Sequence, residues 1–474
     1  TQSTGNNKMP PKPVHEVHGI DSNFAVTLDY DKCMGCGMCA KICNETQQIG
    51  AFRKADPKMP PFAVPRNGDE TKNTATTRVS LKDTICCGCG QCTNVCSFGA
   101  LVPTTRVPEI FEAKKAGKKL IAVLAPATRV GISEAMGMAP GTTGEAQLIA
   151  GLRTIGFDYV FDNQWGADAC TIEDTKEVLH MREHHSGPCY TSCCPAWINL
   201  VEMRYPELIP KVSTARSPQA MLCSIIKKEW IKDANLKLED IFVVGFMPCT
   251  AKKMEAAREQ LSTEGKPDVD VSVTTKEIAA LFKEHKIAFS AEKEEELKQQ
   301  KEGQFDAPFA KFSGSAYIFG KTAGVTESVA RYVHALFGVE FKAENLKVET
   351  VWEHTDKIQN IKVFEFTCKD QTFRAAVAHG GSAVAKCVEM EKELKCDVVE
   401  IMLCPLGCQN GGGQPKQMKK DLIPKRAEAL DKHDKACEFA NCQQNTDMLE
   451  YVKQHMPTEE KIHEVFHTHY ENRK

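Results

Sequence analysis

The 474-residue sequence contains no run of 18 or more apolar residues, so no segment reads as a membrane span. It also lacks an excess of basic charge. Its 60 Lys and Arg against 63 Asp and Glu give a net −3, which excludes the basic footprint of a nucleic-acid binder. The stretch from Thr1 to Ile20 is polar and has no apolar core of a secretory signal. The chain opens on Thr1 rather than Met, and the expectation is that an upstream piece was removed or cropped. Its 14 histidines show no ligand-like spacing, and His184-His185 reads as a surface loop. Apolar residues at 42% and charged residues at 26% are ordinary for a soluble enzyme, and the length suggests two or three domains. What is abundant is cysteine, at 22. Disulfide scaffolds are short and this chain is long, so clustered cysteines point to metal in a reducing compartment.

Residues 1–23 read as a flexible tail, 24–105 as a small cysteine-rich α+β domain, and 106–474 as a larger α/β domain with a helical C-terminal segment. Within the first domain, 53–77 reads as an inserted loop rich in Pro, Asn, Thr and charge. From about 106 onward strands alternate with helices. Strands are expected at 119–126, 157–162, 188–192, 240–246, 268–274, 361–366, 373–378 and 396–403. Helices are expected at 144–155, 171–184, 195–204, 217–232, 251–260, 275–285 and 382–395. That alternation predicts parallel sheets flanked by helices. The charged stretch 291–301 reads as a solvated helix, and 445–470 as one or two amphipathic helices.

One four-cysteine run occurs twice. Cys33, Cys36, Cys39 and Cys43 are spaced C-x2-C-x2-C-x3-C, and so are Cys86, Cys89, Cys92 and Cys96. In this spacing three thiolates on a tight loop wrap one [4Fe–4S] cubane, and the fourth ligates the other cluster. Soft thiolates suit iron–sulfur clusters, whereas zinc motifs come as CxxC pairs with a longer spacer. Gly35, Gly37, Gly88 and Gly90 let the loops curl closely. Asn44 and Ser97 stand where a proline often follows the fourth cysteine, and Cys87 reads as structural. Residues 24–105 thus resemble a bacterial-type ferredoxin with two clusters.

A second set of cysteines is dispersed. Thr191-Ser192-Cys193-Cys194-Pro195-Ala196-Trp197, Met247-Pro248-Cys249-Thr250-Ala251-Lys252-Lys253 and Glu400-Ile401-Met402-Leu403-Cys404-Pro405-Leu406-Gly407-Cys408, running into Gly411-Gly412-Gly413-Gln414-Pro415, each follow an apolar β-like run. Ligands in α/β sheets collect beyond the carboxyl ends of strands, so these motifs can converge. Cys194, Cys249, Cys404 and Cys408 suffice for a third cubane. A proton entering such a pocket needs a relay, and the Cys193 thiol adjoins Cys194. Outward of it, a helix near Thr171 offers Glu173, Asp174 and Glu177, of which Asp174 and Glu177 share a face. Lys252 lies one helical turn after Cys249, where a cation suits an anionic ligand better than the positive helix end.

The three motifs resemble the TSCCPxW, MPCxxKK and ExMxCxxGCxxGGGxP signatures of [FeFe]-hydrogenases, and the resemblance covers about residues 24–470, including the HTHY ending. It implies an H-cluster, a [4Fe–4S] cubane bridged by cysteine to a diiron unit with CO, cyanide and an azadithiolate. Cys194, Cys249, Cys404 and Cys408 would hold the cubane, with Cys408 as the bridge. Cys193 would relay protons, and Lys252 would bond a cyanide. Met247 and Met402 would pack near the diiron unit, and Pro126 and Gln219 would line its pocket. Asp174 and Glu177 match two relay glutamates, with Ser213 between them; Asp for Glu shortens the reach, and Glu173 is the alternative. Ala196 stands where many members carry glycine, and Thr322 to Glu327 departs from TGGVME at Ala323 and Thr326. The implied reaction is 2H⁺ + 2e⁻ ⇌ H2. The implied partners are a ferredoxin- or flavodoxin-type carrier and maturation factors, with no nucleic acid and no membrane. The implied compartment is an anaerobe's cytoplasm or a hydrogenosome-like matrix. An iron–sulfur assembly factor and a hydrogen sensor are the alternatives. Of the remaining cysteines, most read as buried small hydrophobes, and His467 and His469 as helix-packing residues.

Overall fold

The structure, a computed structural model, describes residues 17–53, 62–67, 79–416 and 422–474. Lys119–Leu124, Tyr159–Asp162, Ile241–Met247 and Val271–Thr274 form a wholly parallel four-stranded sheet. Its order is 271–274, 241–247, 119–124, 159–162. These strands are nearly continuous apolar runs because helices cover both faces. The expected strand at 119–126 stops two residues early: Pro126 opens the helix Pro126–Ala135, where its fixed φ suits the first turn. The helix expected at 171–184 starts eight residues sooner, as Asn163–Glu183. Asp162 caps it by accepting from the Gln164 amide at 2.9 Å. The helix expected at 217–232 is Pro218–Ile225 followed by a wider π turn at Ile226–Trp230. The helix expected at 251–260 is only Ala251–Glu255.

The second sheet is a correction. It is mixed rather than parallel, in the order Lys347–Glu353, Asn360–Cys368, Gln371–His379, Val398–Met402, Cys189–Tyr190. Its first three strands are antiparallel neighbours. Only Lys369 and Asp370 separate the 360–368 and 371–379 strands, too few for the crossover a parallel pair needs. The Lys347–Glu353 edge strand is mostly exposed, so it carries no apolar run to betray it.

Smaller corrections follow from capping. Ile20–Ser22, assigned to the tail, pairs antiparallel with Val26–Asp29. Asn23 turns the chain there, its Oδ1 accepting from the Ala25 and Val26 amides at 2.9 Å. Within the expected loop, Phe62–Ala63 pairs with Phe52–Arg53; 54–61 and 68–78 lie outside the described residues, as do 1–16 of the tail. The helix Ala291–Lys298 is not wholly solvated. Glu294 is buried, and its carboxylate accepts from the Ala146 and Gln147 amides at 3.0 Å, capping Glu145–Ile155. Around the front cysteines, Leu101–Pro103 completes a three-stranded antiparallel sheet with the 20–22 and 26–29 strands.

Four strands from the two sheets matter most. Lys119–Leu124, Ile241–Met247, Val398–Met402 and Cys189–Tyr190 all end toward one place, where Pro126, Cys249, Cys404 and Cys194 follow.

Candidate metal centre

At those carboxyl ends lies a largely apolar cavity. Cys194, Cys249, Cys404 and Cys408 all line it, together with Cys193, Lys252, Pro126, Met247 and Met402. Cys408 approaches Met402 with 3.9 Å between the sulfurs. Burial first, and Cys194 next, push the Cys249 thiol up to about 12. Burial, with Cys249, Cys194 and Cys89 around Cys404 and with Cys249, Cys404 and Cys194 around Cys408, likewise holds both thiols well above the ordinary range. Such thiols ionise only beside a strong positive charge, which iron supplies. Four soft thiols lining one cavity suit an iron–sulfur cubane. Lys252 lies at the wall, donating to Ser217 Oγ at 2.5 Å and Glu255 Oε2 at 2.8 Å. Burial opposes its charge, but Glu255 and the Cys249 and Cys193 thiols outweigh that and raise its pKa.

The two front runs pack against each other. Cys39 is pushed up to about 12 by burial and by Cys33, Cys96 and Cys36. Cys43 lies in the field of Cys89, and Cys92 in the fields of Cys89, Cys86, Cys43 and Cys39. Cys36 is exposed at one end of the line, and Cys89 reaches the cavity wall at the other. The junction is tight. Gly90 has φ +69°, and a Cβ there would meet Thr250 Oγ1 at 2.2 Å; a Cβ on Gly412 would meet the Cys89 carbonyl oxygen at 2.5 Å. Cys87 is buried, its carbonyl accepting from Asn199 Nδ2 at 3.1 Å.

Several relay candidates are joined by hydrogen bonds. Ser213 Oγ donates to Asp174 Oδ1 at 2.6 Å. Burial pushes the Asp174 carboxyl up to about 7 despite that bond. Glu177 accepts from the Thr214 amide at 2.9 Å, and also from the Thr214 hydroxyl. Burial opposes ionisation of Glu177, but His467, Thr214 and Ser213 outweigh it and lower its pKa. Burial, and then Asp174, hold the Cys193 thiol far up. Between Glu173 and Asp174, the geometry brings Asp174 to Ser213. Glu173 instead faces His467 Nε2 at 3.2 Å and Lys176 at 3.0 Å.

One predicted residue is displaced. Gln219 does not line the cavity. Its Nε2 donates to Glu255 Oε2 at 3.1 Å, and its Oε1 lies where a Cβ on Gly245 would be, 2.2 Å away. Pro218, one residue earlier on the same helix, takes the wall position. Sequence reasoning also missed two participants. Cys170, read as a small hydrophobe, donates its thiol to Asp174 Oδ2 at 3.4 Å and lies in the field of Cys193. Its signal was the i, i+4 spacing from Asp174. His467 leaves the helix Glu459–Phe466 as its C-cap and reaches both Glu173 and Glu177.

Three cysteine sets, the last lining an apolar pocket at the strand ends of an α/β domain, define an iron–sulfur protein. Residues 118–412 match the model for the iron only hydrogenase large subunit, C-terminal domain, and 420–473 that for the iron hydrogenase small subunit. The chain belongs to the iron-only hydrogenase family. It is 33% identical to the NADP-reducing hydrogenase subunit HndD of Solidesulfovibrio fructosivorans, over 95% of this chain and 75% of that one. A solved [FeFe]-hydrogenase HydA1 variant from Chlamydomonas reinhardtii superposes with a TM-score of 0.66 at 32% identity, covering 78% of this chain and 99% of that one. The cytosolic iron-sulfur assembly component 3 of Mus musculus is 29% identical over 75% of each chain. No helix among the described residues is long and apolar enough to cross a membrane.

Proposed function

We propose that this chain interconverts protons and H2, 2H⁺ + 2e⁻ ⇌ H2. The observation that carries the reading is the meeting of Cys194, Cys249, Cys404 and Cys408 in one cavity with Cys193 and Lys252 on its wall. Residues 24–105 form a ferredoxin-like domain with two [4Fe–4S] clusters, 106–474 the catalytic domain with an H-cluster, and 1–23 a tail. When bound, the clusters carry electrons and the diiron unit supplies the place where electrons and protons combine. Cys408 would be the ligand shared with the diiron unit, and Met247, Met402 and Pro126 keep water from the site. Lys252, held by Ser217 and Glu255, presents its ammonium to a cyanide. Glu177, Ser213 and Asp174 move protons between the surface and the Cys193 thiol, with Cys170 donating to Asp174 beside it. A positioned proton relay contributes on the order of 10²–10⁴ in rate. A ferredoxin- or flavodoxin-type carrier delivers electrons at the end where Cys36 is exposed, the exposure supporting access there. Maturation factors supply the diiron unit, and the compartment is an anaerobe's cytoplasm or a hydrogen-producing organelle.

The likeness to the assembly component favours a second reading, an iron–sulfur assembly factor without turnover. Infrared spectroscopy of the anaerobically matured chain, paired with iron counting, separates the two. CO and cyanide bands support catalysis; a full iron complement without such bands, after co-expression with maturation factors, supports assembly. Cys193→Ser is expected to keep the bands and lose most turnover, and full activity in that variant refutes the relay.

A further inference from the structure

Lys276 breaks a local rule. It lies in the first turn of the helix Thr275–Glu284, the end where the macrodipole disfavours a cation. Its side chain enters the seam between the Cys92 turn and the glycine run. There the ammonium donates to Thr93 Oγ1 at 3.0 Å, Asn94 Oδ1 at 2.7 Å and the Gly412 carbonyl at 3.0 Å. All three donors are used, each on a neutral acceptor. Among the described residues no carboxylate pairs with it. Glu277, one position on, is held by Lys253 at 2.9 Å and by the Thr274 hydroxyl at 2.6 Å. The other charges it feels include two of its own sign: Lys416, which donates to the Cys96 carbonyl, and Arg426, which is paired with Glu134 at 2.9 Å. A partly buried ammonium with these neighbours is costly unless an anion stands beside it. Thr93, which accepts from it, directly follows Cys92, so the ammonium lies in the field of that thiol.

We infer that Lys276 tunes the inner cluster, held by Cys86, Cys89, Cys92 and Cys43, its ammonium raising that cluster's reduction potential. The inference rests on the cluster assignment of the proposed function. The step concerned is a one-electron reduction, [4Fe–4S]²⁺ to [4Fe–4S]⁺, with the electron supplied by the external carrier; no bond is made or broken. Coulomb attraction to the ammonium grows as the cluster gains negative charge, so the reduced form gains more. The device biases electrons toward the cluster that reaches the catalytic cavity through Cys89.

The test uses the full chain, anaerobically reconstituted with iron and sulfide, in a redox titration followed by electron paramagnetic resonance. Lys276→Gln keeps hydrogen-bond donors and removes the charge, while Lys276→Arg keeps the charge. The Gln variant is expected to move one cluster component to lower potential, leave the component at the Cys36 end in place, and keep its cluster content. The Arg variant is expected to stay near the parent. Coincident potentials for parent and Gln overturn the inference, as does an Arg variant displaced as far as Gln. Failure of the hydrogenase reading is seen separately, in the infrared bands. A shifted component in a protein without those bands still supports the role of Lys276, and a chain that takes up no cluster at the front cysteines overturns both.

Discussion

His467→Gln tests the electrostatics that hold the C-terminal segment against the relay helix. His467 Nε2 lies 3.2 Å from Glu173 Oε2, and Nδ1 lies 3.3 Å from Glu177 Oε1 and 2.8 Å from Thr214 Oγ1. Burial pulls this imidazole down, but the two carboxylates outweigh it and raise it from 6.5 to about 9. That rise converts to about 3 kcal/mol at ~1.4 kcal/mol per tenfold, and partial solvent screening reduces it to about 1–2 kcal/mol. Because the folded value is raised, the contribution is complete below pH 6.5 and is lost as the pH rises through about 9. In urea, which leaves ion pairs unscreened, the parent should exceed His467→Gln by about 1–2 kcal/mol at pH 6 and by almost nothing at pH 10. Hydrogen exchange at the Thr468 amide, bonded to the Thr214 carbonyl at 2.8 Å, should accelerate in the variant at pH 6 only. An equal difference at both pH values would refute the reasoning. It would assign the stabilisation to the ring stack on His463, with centroids 4.7 Å apart.

Asp174→Asn should trade function for stability. A carboxyl raised from 3.8 to about 7 loses stability as the pH climbs between those values, so the variant should match the parent at pH 4 and exceed it by ~1–3 kcal/mol at pH 8 in urea titrations. Its turnover should fall by ~10²-fold; an unchanged rate removes Asp174 from the relay. Gly412→Ala places a Cβ 2.5 Å from the Cys89 carbonyl oxygen and 2.6 Å from Gly90 Cα. Neither backbone atom yields cheaply, so iron per chain should drop and soluble yield with it; full iron content contradicts the tight junction. Glu294→Ala leaves the Ala146 and Gln147 amides without their acceptor and should cost about 1–2 kcal/mol in a urea melt; no change would mean that water replaces the carboxylate.

The local chemistry was legible because it is written in local order. The spacing of Cys33 to Cys43 and Cys86 to Cys96 obliges three sulfurs onto one loop and sends the fourth away, whatever surrounds them. The apolar runs at 119–124, 241–247 and 398–402 could only be covered strands, and a motif just past a strand end lies where ligands gather. Three kinds of decision needed the folded chain. Sheet direction at 360–379 turned on the length of one connection, a detail that apolar periodicity does not record. Gln219 and Pro218 are adjacent on one helix, and only the packing of that helix against Gly245 decided which of them meets the cavity. Helix phase likewise chose Asp174 over Glu173 for Ser213, and put Cys170 behind it. His467 and Lys276 act on partners far away in the chain, Glu173 at 294 residues and Thr93 at 183 among them. A side chain's charge is a property of its type, but the group that answers that charge across such a distance is set by tertiary contact alone.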